Sequence, residues 1–275
     1  MDREVTAFVP GHVTGFFSVH PDADPARAGS RGGGFVLTDG VRVTVGPASE
    51  STVRLDGEKL TVESVETVLE TLQVSASVEA RSDVPLGAGF GVSGAMALGT
   101  ALSANLVFDR KLSANELVTI AHGAEVKAGT GLGDVVAQAR GGIPIRLEPG
   151  GPQYNVIDAI PTRARVEYVS FGELSTAEVL SGETTTIEEA GRWALSKVVE
   201  EPTLGSLMYA SRRFARETEL LTPRVRNAIE AVAAEGGTAS MAMLGETVFA
   251  VGTGLSDAGY DPSVCYTHPA GAMFE

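Results

Sequence analysis

The stretch Pro85-Leu86-Gly87-Ala88-Gly89-Phe90-Gly91-Val92-Ser93-Gly94-Ala95 constrains the fold more than any other part of the chain. Alternating glycines let backbone N–H groups converge on an anion. The apolar run over residues 93–106 predicts a helix directly behind them, whose N-terminus adds positive potential. A bare strand-to-helix turn needs only one or two glycines, and this one has four.

Two phosphate-binding designs fail on this sequence. Gly89 to Gly94 satisfies G-x-G-x-x-G, and Asp109 lies 20 residues after Gly89, as in a dinucleotide fingerprint. The 15-residue step from Gly94 to Asp109 holds only a helix, without the turn and second strand of a βαβ unit. A P-loop fails because no Gly-Lys-Ser/Thr follows the glycines. The segment is a phosphate cradle of another kind.

Around it, strands and helices alternate without a βαβ rhythm, which indicates an α+β class. Residues 5–9 read as a strand ending at Pro10-Gly11, and residues 34–45 as a hairpin around Asp39-Gly40. A second strand pair flanks Asp56-Gly57. A helix over 61–72, with Thr61 and Ser64 near its start, precedes a strand over 75–80. Ser113 and Glu116 form a capping box for a helix through Lys127. A second glycine turn, Gly129-Thr130-Gly131-Leu132-Gly133, leads to Asp134, and Gly141-Gly142 introduces a strand over 143–147. The cluster Pro149-Gly150-Gly151-Pro152 marks a boundary between domains 1–152 and 153–275. Beyond it come a strand (165–171), helices over 186–200, 203–220 and 223–234, and two strands, 238–243 and 247–251.

Charge narrows the partners. The chain carries 35 acidic and 21 basic residues, a net charge of −14, and lacks the basic stripe that nucleic acid requires. Only Lys59, Lys111, Lys127 and Lys197 are lysines; the other basic residues are arginines. Few lysines among many acids point to a salt-rich cytosol, as in a halophilic archaeon; the alternative is an ordinary acidic mesophile protein. The single Cys265 excludes an internal disulfide and a multi-thiolate zinc site. No apolar run reaches membrane-span length and no signal peptide is evident, so a soluble cytoplasmic protein is expected, with no membrane partner.

P-x-G-x-G-x-G-x-S-x-A resembles the ATP-binding motif of the GHMP kinase superfamily. The segments Val9-Pro10-Gly11-His12-Val13-Thr14-Gly15-Phe16-Phe17 and Ser240-Met241-Ala242-Met243-Leu244-Gly245-Glu246-Thr247-Val248 are similar to two further motifs of that superfamily. Together with Ser30-Arg31-Gly32-Gly33-Gly34 and the Gly129–Asp134 turn, they resemble the archaeal pantoate kinase branch over nearly the whole chain. The resemblance implies an N-terminal domain like ribosomal protein S5 domain 2 and a ferredoxin-like C-terminal domain. It implies ATP-dependent phosphorylation of (R)-pantoate to 4-phosphopantoate in archaeal coenzyme A biosynthesis, with MgATP as phosphoryl donor. The alternative is a GHMP-type kinase for another small alcohol, such as homoserine or mevalonate. A homodimer is the commonest closed assembly.

The resemblance also implies roles for residues. Pro85, Gly87, Ala88, Gly89, Phe90, Gly91, Val92, Ser93 and Gly94 would hold the ATP phosphates. Ser93 would contact phosphate or Mg²⁺, unless its hydroxyl is an ordinary N-cap. Glu125 would be a Mg²⁺ ligand, the alternative being a solvated helix glutamate. Asp134 would orient the attacking hydroxyl and accept its proton, or else cap the helix that follows. Mevalonate kinase-like members have a lysine after Pro-Gly where this chain has His12, so the Asp–Lys mechanism does not transfer. His12 is a candidate for catalysis or for binding the substrate hydroxyl. Pantoate's carboxylate calls for an arginine fork. Arg31, beside the glycine run, is the first candidate and Arg140 the second, with Ser30 as a further substrate-binding candidate, while His20, His122 and Trp193 read as packing or surface residues.

Overall fold

A computed structural model describes residues 4–172 and 185–275. The first strands are far longer than the turn signals predict. β1 (Val5–His20) continues through Pro10-Gly11, and β2 (Gly29–Pro47) runs antiparallel to it through Asp39-Gly40. The expected hairpin is absent because a bulge absorbs its turn residues: Pro10 pairs with Gly40 and His12 with Val36, leaving residues 37–39 opposite Gly11 alone. This excursion bonds elsewhere. The Tyr168 hydroxyl donates to Asp39 (2.9 Å), and the Tyr266 amide donates to Thr38 Oγ1 (3.0 Å). Gly40 is needed for close approach, since a Cβ there would lie 2.4 Å from the Val9 carbonyl oxygen.

The hairpin of β3 (Thr52–Leu55) and β4 (Glu58–Lys59) forms as expected, with Asp56 and Gly57 both at positive φ. Helix α1 (Glu63–Leu72) begins after Val62, with neither Thr61 nor Ser64 as its cap. Then follow β5 (Ala76–Ser82), α2 (Val92–Val107), α3 (Ala114–Ala128), α4 (Asp134–Arg140) and β6 (Pro144–Glu148). The Ser113–Glu116 capping box on α3 is present with both of its reciprocal bonds. A strand missing from the sequence reading, β7 (Val156–Ala159), pairs with β6.

The remaining elements are β8 (Arg165–Gly172), α5 (Thr185–Glu200), α6 (Leu204–Glu217), α7 (Pro223–Ala234), β9 (Thr238–Met241), β10 (Glu246–Val251), α8 (Gly254–Asp257), β11 (Ser263–Tyr266) and β12 (Met273–Phe274). One eight-stranded sheet has the path β12-β1-β2-β5-β3-β4, with β6 and β7 attached through β2. The second is antiparallel in the order β11-β8-β10-β9, the strand order of a ferredoxin-like βαββαβ unit. The architecture is α+β, and among the described residues no helix is long and apolar enough to cross a membrane.

Small residues set how the layers meet. Helix α2 is buried almost all round, against β1 and β2 on one side and α1 and α3 on others. A Cβ at Gly99 would come 2.6 Å from Val43 Cγ2, one at Gly15 2.2 Å from Ser211 Oγ on α6, and one at Gly191 of α5 2.1 Å from the Phe17 carbonyl oxygen. The β9–β10 turn reaches across to the first sheet: the Met243 amide donates to the Thr14 carbonyl (2.9 Å), and Gly245 lies against the glycine loop. A Cβ at Gly245 would sit 2.1 Å from the Ala88 carbonyl oxygen and 2.6 Å from the Gly89 nitrogen.

That contact is backbone on backbone and has no flexible side chain to yield. Gly245→Ala is expected to destabilise the protein by about 1–3 kcal/mol. Gly123→Ala, in mid-α3 with nothing nearer than Pro25 at 3.8 Å, should be neutral or stabilising by up to about 1 kcal/mol. Denaturant unfolding of both variants checks the contrast, and equal midpoints would refute the packing argument.

Candidate active site

The glycine loop takes the conformation its spacing suggests. Gly87, Gly89 and Gly91 have φ of 72°, 86° and 66°, whereas Ala88 and Phe90 between them do not have positive φ. Alternation of this kind turns successive amides toward one side and makes an anion-binding concavity. Helix α2 starts at once, with Gly91 as N-cap and no side chain bonded to its first amides. Those amides and the positive end of a 16-residue helix are therefore open to a ligand. The side chain of Phe90 instead packs inward, edge-on to Tyr168 with ring centroids 4.8 Å apart.

A cavity of about 290 Å³ lies in front of the loop. Its wall includes Gly87, Gly89, Phe90, Gly91, Val92 and Ser93 from the loop and helix, but not Pro85, Ala88 or Gly94. The second glycine turn contributes Thr130 to Asp134 across the cavity, and Phe17, Met243 and Leu244 give it an apolar side. The C-terminal turn thus helps to wall the cleft.

Ser93 and Asp134 are not caps. Gly91 and Gly133 hold the N-cap positions of α2 and α4. Ser93 Oγ donates to Glu125 Oε2 (3.0 Å), and Thr130 Oγ1 donates to Oε1 (3.0 Å). Glu125 is fully buried, not solvated, and stands one layer behind the cavity wall. Burial raises its carboxyl to about 7 against the pull of its hydroxyl donors, and nearby Asp134 adds to the rise. Gly131 lies against both carboxylates; a Cβ there would lie 2.6 Å from Glu125 Oε2 and 3.3 Å from Asp134 Oδ2. With no side chain at Gly131, hard oxygen donors stay within reach of the space where phosphates would lie. Among the described residues, no three His, Cys, Asp or Glu side chains cluster as a metal site. A Mg²⁺ held here fits the other pattern, with one or two protein oxygens and the rest from phosphate and water.

Asp134 Oδ1 accepts a hydrogen bond from His12 Nδ1 (2.8 Å). His12 has no exposed surface and is not part of the cavity wall, so the structure places it behind Asp134 and away from any substrate hydroxyl. Burial lowers its pKa, Asp134 opposes that, and Arg146 adds to the lowering. The imidazole is neutral at physiological pH.

Arg31 does not reach the cavity. Its guanidinium donates to Glu148, and it lines a separate groove with Ser18, His20 and Arg192. Ser30, its neighbour, points the other way and lines the cavity, as strand alternation requires. Arg140 is exposed at the end of α4. The arginine at the cavity is Arg146 on β6, which the sequence reading missed. It is fully buried, Nη2 donates to Ser30 Oγ (3.4 Å), and Nε and Nη1 have no partner. Burial pushes its pKa down to about 10, with Asp134 opposing, so it stays charged at neutral pH. Glycines shape its socket: a Cβ at Gly133 would lie 2.6 Å from both Arg146 Nε and Ser30 Oγ. The available signal was a lone charge in the otherwise apolar stretch 143–147. An unpaired buried guanidinium facing a cavity is prepared for a carboxylate or phosphate.

Comparison with known proteins places the chain in a family. The sequence model described as "GHMP kinases N terminal domain" matches residues 59–142. A pantoate kinase of Methanospirillum hungatei is 36% identical over 257 residues, covering 90% of this chain and 87% of that protein. One from Thermococcus kodakarensis is 38% identical over 264 residues, with the same shares covered. A solved structure described as a phosphotransferase related to the CoA biosynthesis pathway superposes with a TM-score of 0.89 at 30% identity, covering 99% of both chains. A homoserine kinase from Cytophaga hutchinsonii, 18% identical with a TM-score of 0.68 over 100% of this chain and 98% of its own, shares the fold. With relatives this similar along nearly their whole length, the chain belongs to the pantoate kinase family of the GHMP kinases.

Proposed function

We propose that this protein transfers the γ-phosphoryl group of ATP to the 4-hydroxyl of (R)-pantoate, giving 4-phosphopantoate for coenzyme A synthesis. The observation that carries the reading is Arg146, an unpaired buried guanidinium beside Ser30 in the same cavity as the glycine loop. A kinase for a neutral sugar has no use for such a group, whereas pantoate brings a carboxylate. Full-length similarity to pantoate kinases supports the same acceptor.

Phosphoryl transfer depends on positioning and on spreading charge rather than on covalent chemistry by the protein. In this scheme the amides of Gly87 to Ser93 and the α2 N-terminus hold phosphate oxygens. Ser93 and Glu125 would hold Mg²⁺, which when bound neutralises charge on the phosphates. Arg146 and Ser30 bind the pantoate carboxylate, and Phe17, Met243 and Leu244 accommodate its two methyl groups. Gly133 packs on Arg146 and immediately precedes Asp134, so the carboxylate anchor adjoins the group that receives the hydroxyl proton. An ATP-binding half and a C-terminal half complete the reading; the cut expected at 152/153 moves past β7 (Val156–Ala159), because β7 pairs with β6 in the first sheet. Its compartment is a cytoplasm, salt-rich as the lysine-poor, acidic composition suggests.

ADP release by the purified protein with MgATP should occur with pantoate and not with homoserine, mevalonate or shikimate; turnover of mevalonate but not pantoate would overturn the proposal. Arg146→Ala should raise KM for pantoate by at least about tenfold, the loss of one charge-assisted anchor, with KM for ATP little changed. Steady-state kinetics with each substrate varied in turn makes that distinction.

Glu125 gives a pH signature in metal-free buffer. Its folded pKa of about 7 lies above the usual 4.5, so its protonated form favours folding below the lower value. That contribution is lost as pH rises through the higher one. Glu125→Gln, uncharged at every pH, should therefore gain stability relative to wild type between about pH 5 and 8, by on the order of 3 kcal/mol. Denaturation with a chelator present across this range is the check, and a pH-independent difference would refute it. The same variant should lose most of its MgATP-dependent activity.

A further inference from the structure

The proposed reaction leaves open how Asp134 is held, and the surroundings of His12 supply the answer. The His12 ring is wholly buried, with Nδ1 2.8 Å from Asp134 Oδ1 and the Thr14 hydroxyl more distant, 3.5 Å from the same nitrogen. Its other nitrogen, Nε2, is buried with no partner. Gly34 lies against that edge, where a Cβ would be 2.7 Å from Nε2. The His12 amide donates to the Phe90 carbonyl of the glycine loop (2.9 Å). The residue is thereby fixed to the phosphate cradle through its backbone and to Asp134 through its ring.

We propose that His12 is a positioning residue: a neutral imidazole whose Nδ1–H holds Asp134 Oδ1, exchanges no proton with substrate, and leaves Oδ2 as the oxygen that receives the hydroxyl proton. The proposal rests on the reading of Asp134 given above. Three observations carry it. A proton on Nε2 would be a buried donor without an acceptor, the costly arrangement, whereas an unprotonated Nε2 loses only a weak acceptor. Nε2 has no hydrogen-bond partner to continue a relay, and the ring has no exposed surface and is absent from the cavity wall. Oδ2 is the oxygen beside Gly131, which lines the cavity and has no side chain to cover it.

In the transfer step the 4-hydroxyl oxygen forms a bond to the γ-phosphorus as the bond to the ADP oxygen breaks. The hydroxyl proton passes to Asp134 Oδ2 and later to solvent. The Nδ1–H bond to Oδ1 is kept throughout.

Asparagine tests this directly, since its amide nitrogen occupies the place of Nδ1 and offers the same N–H without a titrating ring. His12→Asn should keep kcat within about threefold of wild type. His12→Ala and His12→Gln, which do not present a donor at that point, should lose kcat by at least about tenfold with both KM values within about twofold. An Asn variant as slow as the Ala variant, with ATP binding intact in both, would show that the ring itself does chemistry and overturn the proposal, as would full kcat in His12→Ala. Independently of any variant's folding, ¹H–¹⁵N spectra of histidine-labelled wild-type protein should show His12 as the Nδ1–H tautomer near neutral pH. An Nε2–H tautomer or an imidazolium would overturn it. These spectra need no substrate, and pantoate turnover by wild type is measured separately, so failure of the substrate assignment is distinguishable from failure of the His12 assignment.

Discussion

His12 is the point at which three distant segments are held together. Its amide binds the glycine loop at Phe90, its ring binds Asp134 on the second glycine turn, and its edge rests on Gly34 of β2. The last contact needs backbone closer than a methyl group would permit, since a Cβ at Gly34 would lie 2.7 Å from the ring nitrogen. The same constraint recurs at Gly131 against the two carboxylates, at Gly133 against Arg146, and at Gly245 against Ala88. The glycines that mark this sequence therefore do two jobs. Those at 87, 89 and 91 supply a backbone conformation, and the others supply distance. A site assembled from main chain loses little side-chain entropy on folding and is fixed before a ligand arrives.

Electrostatically, the cavity is the inverse of the surface. A net charge of −14 repels ATP and pantoate at low salt. The site answers with open helix amides, a concavity of loop N–H groups and one buried guanidinium, none of which needs a lysine. These sources act at short range in a poorly solvated space, where screening is weak, whereas the acidic exterior is screened within a few ångströms in molar salt. Surface charge and site chemistry are thereby decoupled, and one sequence can carry both.

The phosphate cradle was legible because it is local: a glycine pattern and the apolar helix behind it lie in one continuous stretch. The Asp56-Gly57 turn was legible for the same reason. Asp39-Gly40 carries an equal turn signal, yet the long-range pairing of β1 with β2 and of residues 37–39 with the C-terminal sheet absorbed it as a bulge. Arg31 and Arg146 show the limit most clearly. Among seventeen arginines, choosing one required knowing which side of β2 faces the cavity. Ser30 faces it, so Arg31 cannot, and the guanidinium that meets Ser30 comes from a strand 116 residues away. Similarly, the sequence placed His12 beside the reaction, but only the packing of its Nε2 edge against Gly34 removed it from contact with substrate.

The charge balance explains why a histidine suits the position where mevalonate kinase-like members carry a lysine. Asp134 already has a buried cation nearby, since Arg146 and Asp134 influence each other electrostatically. A lysine at position 12 would place a second buried cation in the same pocket, with its own desolvation cost and repulsion from the first. A neutral imidazole gives Asp134 the directional hydrogen bond without the charge. Arg146 is left as the one fixed cation among the cavity-wall residues, free to pair with the acceptor's carboxylate. The substitution at position 12 and the recognition of an anionic acceptor are on this account two parts of a single electrostatic arrangement.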